Sequence, residues 1–204
     1  MRLQPPLRPT PIWLRRILLV STLAAGLLVL GLLAPGRPRP PRLLLTAADA
    51  GEAYLPTVAA LIDTAETRIW VALYVLRLEP DDPQHPVTDL CHRLAAAAER
   101  GVDVRVVLDA GNDWRTGEPD PKHELPATWL RNHGIRVTID SRDRTTHLKV
   151  LLIDTDTTIV GSHNWTAYAL TRNREASTLS HDPTVAHALE QHLLSIPGFP
   201  VDEH

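Results

Sequence analysis

The rhythm of apolar and polar positions changes at about residue 43. From Ile17 to Ala34, eighteen consecutive residues are uncharged and dominated by Leu, Val, Ala and Gly. At about 1.5 Å per residue, such a helix crosses most of a hydrocarbon core of about 30 Å. It exceeds the usual secretory apolar stretch, and the best cleavage position, after Ala34, has Leu at minus three and Pro35 just beyond it. The run therefore predicts a signal anchor rather than a cleaved signal peptide. Arg2, Arg8, Arg15 and Arg16 precede it, and Arg37, Arg39 and Arg42 follow. That slight excess of basic residues before the anchor places the rest of the chain outside the cytoplasm, or secretes it if the segment is cut. The expected organisation is a basic flank over 1–16, the anchor over 17–34, a stiff Pro/Arg-rich linker over 35–42 and a globular domain over 43–204.

Beyond residue 43, short β-branched runs alternate with longer amphipathic ones. Arg68 to Leu76, Val102 to Leu108, Ile135 to Asp140 and Glu175 to Leu179 read as strands. Thr88 to Arg100, stopped by Gly101, and Pro126 to His133, stopped by Gly134, read as helices, and Pro183 to Leu194 as a closing one. His147 to Asp154 reads as another strand, joined by a turn over Asp154 to Asp156 to a partner strand over Thr157 to Gly161. Strands alternating with helices, plus a hairpin, predict a layered α/β/α sandwich with a mixed central sheet. No internal repeat is visible, and about 160 residues suffice for one such domain but not two.

Composition narrows the chemistry. All 24 acidic residues follow Arg42, together with 14 of the 21 basic ones, so the domain carries 14 − 24 = −10. That balance argues against broad nucleic-acid binding, although Arg136, Arg142, Arg144, Lys149, Arg172 and Arg174 crowd one stretch of sequence and could line a local basic groove. Cys91 stands alone, so no intramolecular disulfide forms. The ten histidines show no compact metal-ligand spacing, and neither a metal nor a cofactor is expected. Asp109 to Asp113 lacks the further ligands of a calcium loop and reads as a turn. The polar segment from Gly111 to Glu124 reads as a rim loop. Trp114, Trp129 and Trp165 are candidates to line a groove, with core packing the more ordinary use of such residues.

The candidate chemistry lies around the hairpin. In a strand, His147 and Lys149 share a face, while Leu148, Val150 and Leu152 fill the other. Asp154, seven residues from His147, points away and has a structural role. The partner strand returns Ser162 and Asn164 to the same end. There, Lys149, Ser162 and Asn164 are expected to bind the nonbridging oxygens of a phosphate, and Gly161 to let the backbone approach a ligand. Lys149 is one of only two lysines beside nineteen arginines, so its presence is not what composition would supply by default.

The pattern His147-x-Lys149-x4-Asp154-x6-Gly161-Ser162-x-Asn164, with Glu175 eleven residues on, resembles the signature of the phospholipase D superfamily. The resemblance implies cleavage of phosphodiesters through a histidine nucleophile, with His147, Lys149, Asn164 and Glu175 catalytic. Glu175 is then the expected acceptor for the second imidazole nitrogen. Members with two copies of the motif place two histidines across one active site. This chain has one copy, so the resemblance implies a homodimer sharing a single site. Two groups of single-copy members are similar: bacterial endonucleases, and anchored enzymes acting on phospholipids such as cardiolipin, including mitochondrial cardiolipin hydrolase-type proteins. The anchor and acidic balance favour phospholipid head-group hydrolysis over nucleic acid. A tethered module that only binds phosphate is the non-enzymatic alternative.

Overall fold

The structure, a computed structural model, describes residues 39–46, 52–111 and 116–199. The expected anchor and its basic flank lie outside them, as do Trp114 and the first half of the linker, residues 35–38. Among the described residues, no helix is long and apolar enough to cross a membrane. The strands are β1 (Arg42–Leu45), β2 (Glu52–Ala53), β3 (Arg68–Leu73), β4 (Asp103–Leu108), β5 (Arg136–Ile139), β6 (Lys149–Ile153), β7 (Thr157–Gly161) and β8 (Ala176–His181). The helices are α1 (Tyr54–Thr64), α2 (Pro86–Glu99), α3 (Glu124–Asn132), α4 (Ala167–Thr171) and α5 (Pro183–Leu194). A single mixed sheet runs in the order β2-β1-β8-β7-β6-β3-β4-β5.

Helices cover both faces, as the alternation predicts. Tyr54, Val58 and Ile62 of α1, Leu90 and Leu94 of α2, Leu130 of α3 and Leu170 of α4 pack on one face with Leu151 and Ile153. Ala186 and Leu193 of α5, with Ile196 and Phe199, pack on the other with Val150 and Leu152. Every residue of β6 is buried because β3 and β7 flank it and both faces are covered. Truncating Leu151 to Ala would cost about 2–5 kcal/mol through the cavity left behind.

Local chemistry sets the ends. In α2, Pro86 occupies the first turn, where no N–H partner is needed, and Asp89 complements the helix dipole. The helix stops at Gly101, whose φ of 91° suits glycine, with Val102 N–H reaching back to Ala97 O at 3.1 Å. The Asp182 carboxylate caps α5 at Thr184 N, 2.8 Å away.

Four elements go beyond the sequence reading. β1 forms where the linker was expected to end, recruited by antiparallel pairing with the distant β8. β2 and the five-residue α4 are too short for a periodic signal. α1 has no side-chain cap, and Pro56 lies in its first turn, so its helical signal is weak; burial of Tyr54, Val58 and Ile62, at helical spacing, holds it. Several boundaries also move, two of them at the site. β3 stops at Leu73, and β6 starts at Lys149 rather than at His147. The ends of β1, β3, β4, β5 and β7 and the starts of β6 and β8 consequently meet at one edge of the sheet.

Candidate active site

Lys149 opens β6 opposite Leu73, and His147 lies two residues before it, exposed. The expected strand face is preserved in outline, since Leu148 packs with Val150 and Leu152. The Lys149 side chain curls back so that its ammonium donates to His147 O at 2.9 Å and lies 4.9 Å from the centre of the Tyr74 ring. Burial pushes the Lys149 pKa down, only partly offset by the carboxylates of Glu175 and Asp109. The His147 imidazole packs against Tyr74 with ring centres 4.5 Å apart and planes tilted by 55°.

Beyond Leu73, the chain exchanges sheet pairing for site side chains. Tyr74 N–H still reaches Leu148 O, at 2.8 Å, but Val75 N–H donates to Asn164 Oδ1 at 3.2 Å and Leu76 N–H to His123 Nε2 at 3.1 Å. These bonds explain the early end of β3. They also orient Asn164: with its oxygen taken, the amide N–H donors remain for a ligand.

The other motif residues fall into two sets. Ser162 Oγ donates to Glu175 Oε2 at 2.5 Å and accepts from Ala176 N at 3.1 Å, so its single hydrogen is engaged by the carboxylate rather than held for a phosphate as expected. Asn173 Nδ2 donates to the other Glu175 oxygen at 3.0 Å. Among the described residues, no hydrogen bond joins Glu175 to the His147 ring, contrary to its expected orienting contact. A Cβ on Gly161 would lie 2.4 Å from Ser177 Cα and 2.5 Å from Ala176 O, so the close approach that requires glycine is to β8 rather than to a ligand. Asp154 lies at the opposite end of β6, with φ 51°. Its carboxylate accepts from Thr67 N at 2.7 Å, Thr67 Oγ1 at 2.8 Å, Glu66 N at 3.1 Å and Arg68 N at 3.3 Å.

Two further histidines are committed elsewhere. His163 is fully buried and stacks on Tyr54 at 3.8 Å. Thr46 Oγ1 gives its hydrogen to Ala169 O, so it accepts from His163 Nε2–H at 3.1 Å, and Nδ1 accepts from Ser177 Oγ at 2.7 Å. Burial holds this neutral ring down at about 4. Although it sits between Ser162 and Asn164 of the motif, both of its ring nitrogens are engaged and it is sealed from solvent. His123 contacts Asp109 O through Nδ1 at 2.8 Å while Nε2 accepts from Leu76, and burial lowers its pKa as well.

Sequence reasoning missed Tyr74, Asp109 and Lys122. The Lys122 ammonium pairs with Asp109 at 3.0 Å, both side chains nearly sealed from solvent, and lies 4.3 Å from the Tyr74 ring centre. The other Asp109 oxygen accepts from Thr146 N at 2.9 Å. The sequence signal was the scarcity of lysine: Lys122 and Lys149 are the two in the chain, and the structure brings both to Tyr74. The arginine cluster largely disperses. Arg136 pairs with Asp103 at the far edge and Arg172 lies over Tyr168, whereas Arg144 shares a cavity of about 460 Å³ with Thr146, His147, Leu148, His192 and Ile196. A second cavity of about 570 Å³ shares Asp140 and Ser141 with the first and carries Arg131 and Arg142. Of the candidate groove tryptophans, Trp165 is fully buried and Trp129 stacks on His133.

Known proteins match this architecture. A family model described as "Cardiolipin synthase, PLD-like domain" matches residues 58–196. Cardiolipin synthase B of Salmonella typhi is 35% identical over 112 residues, covering 52% of this chain and 25% of that protein, so the chain spans only a quarter of the relative. The crystal structure of Nuc, a phospholipase D family member from Salmonella typhimurium, superposes with a TM-score of 0.57 at 28% identity, over 74% of this chain and 91% of Nuc. NucT from Helicobacter pylori shares the fold, with a TM-score of 0.55 at 18% identity over 78% of this chain and 98% of NucT.

Proposed function

Given that the chain belongs to the phospholipase D superfamily, we propose that it cleaves phosphodiesters through a covalent phosphohistidine on His147, with a phospholipid as substrate. The observation that carries the chemistry is the meeting of an exposed imidazole, a lysine ammonium and a pre-oriented amide at one sheet edge. A His147 nitrogen attacks phosphorus, and the bond to the head-group oxygen breaks. That oxygen leaves with the electron pair and takes a proton from an acid. The conjugate base of that acid then takes a proton from water, whose oxygen attacks phosphorus as the phosphorus–nitrogen bond breaks and its electron pair returns to His147. Lys149 and the Asn164 amide stabilise the charge that builds on the nonbridging oxygens.

The acid is assigned to His147 of the partner subunit in a homodimer. Support comes from the single motif copy and from the burial of His163 and His123. Within one chain, His192 lines the same cavity as His147 and is the competing acid.

Three features favour lipid: the apolar side of the cavity formed by Leu148, Ile196 and Pro197, the net charge of −10 after Arg42, and the similarity to cardiolipin synthase B. Arg131, Arg142 and Arg144 along the two cavities favour the second reading, a nucleic-acid phosphodiester.

The full chain in detergent, in excess EDTA, should hydrolyse bis(p-nitrophenyl) phosphate and release head groups from cardiolipin or phosphatidylcholine faster than it cuts single-stranded DNA. His147→Asn should lose at least about 1000-fold in rate. Faster cutting of DNA would reverse the substrate order. Binding of these ligands without turnover would make the protein a phosphate-binding module.

A further inference from the structure

We propose that Tyr74 is a positioning residue that holds the His147 imidazole for attack, with Lys122 and Asp109 as its backing; the proposal rests on the phosphohistidine reading. An exposed imidazole with no hydrogen bond rotates about χ1 and χ2, and in-line attack requires it to be held close to one orientation. Glu175, engaged by Ser162 and Asn173, does not hold it in this chain. Its ring packs instead on Tyr74, with centres 4.5 Å apart and planes tilted by 55°.

Tyr74 is itself fixed from several sides. Its N–H donates to Leu148 O at 2.8 Å, beside the nucleophile. Two ammonium groups flank its ring, Lys122 at 4.3 Å and Lys149 at 4.9 Å, and a cation is drawn to the electron-rich face of an aromatic ring. Lys122 lies tight against Gly111, where a Cβ would come within 2.9 Å of its Nζ and 3.0 Å of its Cε. Asp109 joins the two halves of the device. One of its oxygens binds Lys122 under the ring, and the other binds Thr146 N–H, one residue before His147. A single buried carboxylate therefore sets the platform and the nucleophile's backbone relative to each other.

The test uses the full chain and bis(p-nitrophenyl) phosphate. Tyr74→Phe keeps the ring and should stay within about 3-fold of the parent kcat. Tyr74→Leu keeps bulk but not the ring, and should lose about 10- to 50-fold in kcat with KM changed less than about 2-fold. Lys122→Met, which keeps the stem without the charge, should fall in between. In NMR spectra, the His147 ring protons, assigned with His147→Asn, should be shifted by the Tyr74 ring current in the parent and in Tyr74→Phe, and should return to ordinary positions in Tyr74→Leu. Tyr74→Leu with parental kcat, Tyr74→Phe as slow as Tyr74→Leu, or ring protons unmoved in Tyr74→Leu would each overturn the proposal. No phosphodiester turnover in the parent, with the ring-current pattern intact, would refute the phosphohistidine reading instead.

Discussion

At the residue scale, neighbours in sequence serve different ends. His163 lies between Ser162 and Asn164 of the motif, yet it is the most deeply buried histidine of the site region, with both nitrogens committed to hydroxyls. Its folded-state pKa is depressed from the ordinary 6.5 to about 4 by burial. The unfolded chain therefore takes up this proton first, and stability is lost as pH falls from about 6.5 to about 4. His123 is held down in the same direction and adds to the slope. Replacing His163 by Phe keeps the stack on Tyr54 and removes the titration. The urea midpoint of His163→Phe should be lower than the parent's at pH 7, where two hydroxyls lose their partner, and should fall less steeply between pH 6.5 and 4.5. Parallel slopes would mean that His163 is charged in the folded protein.

At the element scale, the β6–β7 hairpin separates catalysis from support by its length. Lys149 opens β6 at the site, and Asp154, just past Ile153, lies at the far end, where it closes the turn and captures the segment from Glu66 to Arg68. Arg68 returns the contact by donating to Asp154 O at 2.7 Å and pairing with Glu190 of α5. Burial works against the Asp154 carboxylate, but hydrogen bonds from Thr67, Arg68 and Glu66 together carry its pKa below the usual value. Its contribution is present at neutral pH and is lost as pH falls below the usual carboxylate range. Asp154→Ala leaves several N–H groups without their acceptor and puts a Cβ-bearing residue without a polar side chain at φ 51°; the expected loss is about 1–3 kcal/mol. Asp154→Asn tolerates the left-handed backbone and should lose less. Thermal melts at pH 7 should rank the three proteins in that order, and with His147 left untouched the kcat of folded Asp154→Asn should stay near the parental value.

At the scale of the whole molecule, strand order turns scattered residues into a site. β6 lies between β3 and β7, so the segments after β3 and β7 flank His147, while β4 brings Asp109 and the loop that carries Lys122. The remaining question is where the proton for the leaving group comes from. If His147 of the partner subunit supplies it, a mixed dimer of parent and His147→Asn retains one of two necessary imidazoles. Activity of mixtures, with subunit exchange followed by a tag, should then fall roughly as the square of the parental fraction. A linear decline would assign the acid to the same chain, and His192 would be the next residue to replace.

Sequence alone determined the elements with strong periodicity and the local motif. β6 and β7, α2, α3 and α5 and the layered α/β class follow from side-chain alternation and spacing, which act within a few residues. Tertiary structure decided what depends on distant partners. β1 exists because β8 pairs with it, and β3 ends early because Asn164 and His123 take its N–H groups. Gly161 is required by Ser177, Glu175 is turned to Ser162 and Asn173, and Tyr74, Lys122 and Asp109 meet His147 from separate segments. Hydrogen-bond competition and close packing act between residues that the fold brings together, and no local pattern encodes which of them will meet.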